Sequence, residues 1–318
     1  MVKTLPPALF LFLFAPLTAE YVSGSSPYLN PFVWLGNFFL YGAGTILIRE
    51  LRVRWGKGWL SVFILAAAYM VAEEGLMLNT LFDPLQNTSG RALGVNWVWT
   101  AGMLLVHSFV SIFAPIMLAE AVYQDQSDEP WIKPRTGWWL LLGFGANIFG
   151  LGRLIAPFNR PGITWYVAEV AFIAFCLWLA GKAPASRAPT LGHKPERSPL
   201  RLYLSVSAGM VVMMVIGFAT PAMAMPPVVK VLILVLNYLG FLGLLRWCGV
   251  FHAPLDALSK LAVAGGIISF WILVSPLASL SKHKAGPLIF GLVEAFLLLR
   301  ILQRMGKGLP ISWAQKAA

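Results

Sequence analysis

An all-α, polytopic transmembrane bundle of about ten spans is the fold this sequence predicts. Three observations predict it. Of 318 residues, 58% are hydrophobic and only 12% charged, against roughly a quarter charged in soluble domains. The mean hydropathy is +0.74. The apolar runs are long enough for helices of about 20 residues to cross a bilayer, and lack the short alternating pattern of a membrane barrel.

Spans are expected near residues 5–22, 29–49, 58–78, 97–122, 137–157, 162–181, 201–221, 227–246, 255–275 and 286–303. The first, which follows Lys3, reads as a retained span. A signal peptide would need a small-x-small cleavage site, and Leu17 stands where the first small residue before Ala19 should be. Pairs of aromatic residues mark the span ends: Trp55 and Trp59, Trp97 and Trp99, Trp138 and Trp139, Trp165 and Tyr166. Such side chains settle at headgroup level, where ring and polar tip are both satisfied.

The net charge of +11 is not a nucleic-acid footprint. With both termini cytoplasmic, 17 of the 24 Lys and Arg fall on the inner side, as the positive-inside rule requires. Arg49, Arg52, Arg54 and Lys57 form one inner loop, Lys133 and Arg135 another, and Arg91, Arg160, Lys282 and Lys284 lie outside. The bilayer is therefore the partner, and no nucleic acid is expected. A basic, Pro-rich cytoplasmic linker at 182–200 divides a six-span region, 1–181, from a four-span region, 201–318. Asn87-Thr88-Ser89 fits a glycosylation sequon in an outer loop. No internal similarity suggests inverted repeats.

Chemistry concentrates in the first region. Glu73 and Glu74 lie about two-thirds of the way across the third span, although a centred charge costs roughly 2.5–3.5 kcal/mol to insert. Adjacent helical residues point about 100° apart, so each acid needs its own partner. His107 falls near mid-membrane in the fourth span with Ser111 one turn on, Asn147 near the middle of the fifth, Arg153 beyond it, and Glu169 in the sixth. By depth these groups can share one outward-leaning polar pocket. His107 and Asn147 are equally readable as interhelical hydrogen bonds, and Arg153 with Glu169 as a simple ion pair. Gly143, Gly145, Gly150 and Gly152 lack the Lys-Ser/Thr of a phosphate loop and suit close helix packing. Cys176 and Cys248 give neither a disulfide framework nor metal-ligand spacing. The methionines from 210 to 225 read as adaptable core.

The order Glu-Glu, His, Asn resembles the CAAX-protease and bacteriocin-processing family of intramembrane proteases. That family's pattern is EExxxR, FxxxH and HxxxN/D on successive helices. Glu73, Glu74, His107 and Asn147 match; Leu78, Met103 and Gly143 stand where the pattern has Arg, Phe and His. His252 and Asp256 also fit HxxxD, in a cytoplasmic turn far from the rest. The resemblance spans residues 58–157 and implies peptide hydrolysis. Glu73 or Glu74 would activate water, His107 would orient it or bind a divalent metal, and Asn147 would stabilise the oxyanion. The substrate would be a membrane peptide or small molecule. The metal ligand set is incomplete, because the second histidine is missing. The run from Leu29 to Pro84 is similar to segments of polytopic prokaryotic membrane proteins, which implies a prokaryotic plasma membrane. Two other functions fit the same residues. One is a proton- or cation-coupled transporter, with Gly36, Gly42 and Gly44 compatible with a broken helix; the other is a scaffold without chemistry.

Overall fold

The computed structural model of the chain describes residues 5–83, 90–151, 154, 160–185, 198–251 and 255–307. The sequon at 87–89, Arg153, His252 and the centre of the linker lie outside these. Besides two short 3₁₀ turns, Thr80–Phe82 and Gln124–Gln126, the described residues form ten helices. They are α1 (Pro7–Tyr21), α2 (Pro31–Arg54), α3 (Trp59–Met77), α4 (Trp97–Val122), α5 (Pro134–Ala146, continued by a wider turn at Asn147–Leu151), α6 (Ile163–Lys182), α7 (Pro199–Ala222), α8 (Pro227–Trp247), α9 (Ala257–Lys282) and α10 (Gly286–Gly306). Eight of them are long and apolar enough to cross a membrane, and α1 is a shorter apolar helix. A two-residue antiparallel pair, Arg91–Ala92 with Val95–Asn96, joins α3 to α4.

Local chemistry sets the helix starts. Proline occupies the first turn of α1, α2, α5, α7, α8 and α10, where its missing N–H costs nothing. Asn30, Ser198 and Asp256 cap α2, α7 and α9 by accepting from the backbone N–H of Phe32, Arg201 and Ser259. Gly56 and Gly249 take positive φ just beyond α2 and α8, a conformation that costs glycine little.

Cross-contacts define the two ends of the bundle. At one, here the proximal end, the Tyr123 hydroxyl donates to Leu5 O at 2.7 Å, and Gly58 N donates to Pro184 O at 3.0 Å. At the other, the distal end, Lys282 Nζ donates to the carbonyls of Ser23 and Gly24, both at 3.0 Å. Helices α3 and α4 are central, 83% and 72% buried along their apolar windows; α6, α7, α8 and α10 are between 17% and 28% buried. The outer helices present large apolar side chains such as Phe175, Val212, Val215, Leu236 and Phe296. A bilayer is the environment that covers such faces.

Each of α1 to α5 contains a π-helical stretch: Leu17–Tyr21, Phe38–Gly42, Val71–Met77, His107–Phe113 and Asn147–Leu151. Among the described residues α6 to α10 contain none. Such turns hold one residue more than an α turn and recur at functional sites. Helix α2 stays continuous through its glycines. Gly42 lies against the Phe12 carbonyl and Gly44 against the Tyr69 ring, so both admit close neighbours rather than a break.

The arginines expected in an inner loop are instead helical. Helix α2 runs to Arg54 and buries Arg49 completely. Arg49 Nε donates to Glu120 Oε1 (3.2 Å), Nη1 to Glu50 Oε1 (3.0 Å) and Glu129 O (2.6 Å), and Nη2 to Gln126 O (3.1 Å) and Ser127 O (2.7 Å). That engages every N–H of a guanidinium. Trp131 covers its face at 3.7 Å. Glu120, on α4, also pairs with Arg52 and, at 3.6 Å, with Lys260 of α9. A complete acceptor set lets the Arg49 charge leave water, whereas Arg52 Nε has no hydrogen-bond partner among the described residues. Sequence pattern alone shows their basicity and not their acceptors.

Candidate functional site

The π stretch of α3 carries Glu73 and Glu74, and that of α4 opens on His107. Widening at Val71–Met77 is visible in Leu78 N, which donates to Glu73 O five residues back, at 2.8 Å. Both carboxylates thereby face one imidazole. His107 Nε2 lies 3.0 Å from Glu74 Oε1, and Nδ1 lies 3.4 Å from Glu73 Oε2. All three residues are buried, at 2%, 6% and 4% exposure for Glu73, Glu74 and His107. The rings of Tyr41 and Tyr69 stand 6.4 and 6.0 Å from the imidazole, centroid to centroid.

The two carboxylates are held differently. Glu74 Oε2 accepts from the Thr80 hydroxyl and, at 3.4 Å, from Trp99 Nε1, while Oε1 faces the histidine. Glu73 Oε1 accepts from the Tyr41 hydroxyl. Glu73 Oε2 and His107 Nδ1 have no hydrogen-bond partner among the described residues, although they face each other. One donor atom from each of Glu73, Glu74 and His107 lies within 4.8 Å of the others. Three protein ligands of this kind, with a position left open, suit a catalytic divalent ion. Drawn to about 2.1 Å from a tetrahedral ion, their separations would be about 3.4 Å. The three side chains could hold such an ion after a modest inward closure.

Of the residues expected from sequence, Glu73, Glu74 and His107 come together. Asn147 sits on α5, whose wider turn touches that of α3. Its amide Nδ2 donates to Gly36 O at 2.9 Å, a bond that ties α5 to α2. Ser111 is buried, and its hydroxyl has no partner among the described residues. Glu169 packs its carboxylate onto the Cα side of Gly75, one residue from Glu74, and has no hydrogen-bond partner among the described residues. Its expected partner, Arg153, lies outside them. Each departure from the protease motifs has a packing context. A side chain at position 143 would meet the Phe39 ring. Met103 packs beside Met70, Val71, Leu81, Phe82 and Val95. Leu78 ends the α3 π stretch.

Sequence reasoning did not single out Glu20, Tyr41 or Thr80, and read Trp99 only as a span-end aromatic, whereas its Nε1 donates to Glu74 Oε2. Tyr41 donates at 2.6 Å to Glu20 Oε1, and Glu20 Oε2 accepts at 2.6 Å from the Ser26 hydroxyl. Glu20 stands at the end of an apolar run, where an acid looks solvated. Tyr41 follows Phe38 and Phe39 and looks like core. Only the register of α1 against α2 brings them to Glu73.

The fold and this site together define a polytopic helical membrane protein with a buried Glu-Glu-His centre. Residues 9–305 match the family model described as an uncharacterized membrane protein family, and the chain belongs to that family. That description does not name the CAAX-protease family, whose motifs Glu73, Glu74 and His107 resemble. No curated protein and no solved structure matches the chain.

Proposed function

We propose that this protein is a membrane-embedded hydrolase acting on a peptide or small molecule that reaches the site from the bilayer. The observation that carries the proposal is the carboxylate on each side of one buried imidazole, with Glu73 Oε2 and His107 Nδ1 facing each other at 3.4 Å and neither hydrogen-bonded among the described residues. With Nε2–H directed at Glu74, the neutral ring presents Nδ1 as a base. A water beside it gives one proton to Nδ1 and directs its other hydrogen at Glu73 Oε2. The oxygen attacks the substrate carbonyl carbon, and Glu74 stabilises the imidazolium. Nδ1–H then returns its proton to the leaving group. A divalent ion held by the same three residues would polarise the water instead. Asn147, bonded to Gly36, is assigned to helix positioning.

Hydrolysis is favoured over transport by what lies beyond the site. Toward the proximal end α4 buries Ile112, Phe113, Ile116 and Met117 at the bundle centre, and the polar string from Ser26 to Thr80 begins and ends near the distal loops. In the orientation we favour, the distal end faces outward.

The test uses the full chain in liposomes with a panel of quenched-fluorescent peptides and chromogenic esters. Glu74→Gln and His107→Ala should each lower cleavage by about a hundredfold or more. Absence of any cleavage that depends on these residues would overturn the hydrolase reading. Loss of wild-type cleavage in chelator, restored by Zn²⁺ or Mn²⁺, would select the metal-assisted form.

A further inference from the structure

We infer that Arg52 and Lys260 form a binding site for a phosphate group at the proximal end of the bundle, between the end of α2 and the start of α9. A shortage of buried acceptors carries this. Arg49, Arg52 and Lys260 are 0%, 4% and 5% exposed. Among the described residues the acids that pair with them are Glu50 and Glu120, and both are shared. Glu50 serves Arg49 and the more exposed Arg54; Glu120 serves Arg49, Arg52 and Lys260. Arg49 completes its bonding with three backbone carbonyls. Arg52 and Lys260 do not.

Only Nη2 of Arg52 donates to a protein acceptor among the described residues, Glu120 Oε1, and the buried Nε has none. Lys260 Nζ stands 3.6 Å from Glu120 Oε2, beyond a well-formed hydrogen bond. Both heads thus meet one carboxyl group, and one small anion can reach both. The Arg52 guanidinium lies 4.3 Å from the centre of the Trp59 ring, which fixes its plane. Asp128 acts on Lys260 through space, but it is exposed, as are Asp125 and Glu129, and water screens such charges.

Water would satisfy the spare donors but not the surplus charge, and buried charges are paired. The complement of a guanidinium and an ammonium that share one acid is an anion with several oxygens. Phosphate is such a group, and basic pockets between spanning helices on the cytoplasmic side bind phosphate-bearing head groups. The two side chains keep 5% and 6% exposure, which leaves a narrow mouth. Trp55, at the end of α2, is 38% exposed and marks headgroup level. The phosphate is therefore supplied by an anionic lipid of the proximal leaflet or from solution, and once bound it ties α2 to α9. Glu120 lies about 20 Å along α4 from His107, so the inference does not rest on the hydrolase reading.

The test is thermal unfolding of the full chain, delipidated in detergent and read by fluorescence-detected size exclusion. One arm adds phosphatidylglycerol in mixed micelles, against phosphatidylcholine. The other adds inorganic phosphate, against chloride at equal ionic strength. A ligand at about ten times its Kd should raise the melting temperature by about 3–6 °C. Arg52→Gln and Lys260→Gln should each weaken binding about tenfold or more, cutting the rise below about 2 °C. Lys260→Arg should keep it, and Arg135→Gln, which removes an exposed charge at the same end, should leave it whole. A rise with phosphatidylglycerol alone assigns the site to a lipid; a rise in both arms assigns it to phosphate from either source. Should Arg52→Gln fail to fold, Lys260→Gln and its rescue by Lys260→Arg decide. No rise in the wild type in either arm, or an undiminished rise in the folded glutamine variants, would overturn the site. Neither outcome bears on cleavage, which is read separately.

Discussion

Replacing Arg49 by methionine should destabilise the bundle more than any other single charge removal at the proximal end. The side chain is fully buried, and its guanidinium bonds two carboxylates on different helices and three carbonyls of the loop after α4. Methionine leaves Glu50, Glu120 and the carbonyls of Gln126, Ser127 and Glu129 without that donor. Breaking a buried pair by removing one partner costs about 3–5 kcal/mol. At about 2–4 °C per kcal/mol for a large chain, that lowers the melting temperature by roughly 6–20 °C. Arg49→Lys keeps the charge but brings fewer donors and no planar fork, so it should fall between. Arg54 is the internal control. Its side chain is 35% exposed, and Arg54→Met should cost at most about 1 kcal/mol. The assay is thermal unfolding of detergent-solubilised protein, read by fluorescence-detected size exclusion. An Arg49→Met protein melting within about 2 °C of wild type would refute the view that this network clamps the loop.

Gly75→Ala should destabilise by about 1–3 kcal/mol, because the new methyl meets the Glu169 carboxylate, and Glu169→Ala in the same chain should recover most of the loss; a double-mutant cycle measured by thermal unfolding checks the coupling. Gly42→Ala should cost about as much, since its obstacle is the Phe12 backbone carbonyl, whereas Gly243→Ala meets nothing and should be neutral or stabilising by up to about 1 kcal/mol. Paired melting curves of the two variants decide this. A fluorescent protein fused to the C-terminus should mature and fluoresce on the cytoplasmic side, as the Lys and Arg bias requires; a dark fusion at normal expression would reverse the orientation.

The fold was legible because its cause is one-dimensional. Apolar length, proline at helix starts and interfacial tryptophans all act locally, and the expected spans coincide with α1 to α10 to within a few residues at most ends. The ends of α9, at Lys282 against an expected 275, and of α2, at Arg54 against an expected 49, depart most, and the second has a visible cause. A run of arginines looks like a loop until Glu120, 68 residues beyond Arg52, is seen to neutralise it. In the site, Glu73, Glu74 and His107 stood out because charge in hydrocarbon is costly whatever the tertiary fold. Tyr41 and Glu20 did not, since a tyrosine among phenylalanines and an acid at a span end carry no such penalty. Asn147 stood out for the same reason as His107, yet its bond to Gly36 shows that a polar group inside a bundle can simply hold two helices together.

The wider turns of α1 to α5 make the centre sensitive to chain length. Each inserts about one residue relative to a plain helix, so deleting a single codon within 71–77 would rotate whatever follows by about 100°. One of the two acids would then swing away from the imidazole while the helix itself survived. A handful of one-residue insertions therefore separates this bundle from one with nearly the same hydropathy profile but no Glu-Glu-His cluster, and sequences aligned without regard to such gaps would place their acids on the wrong face.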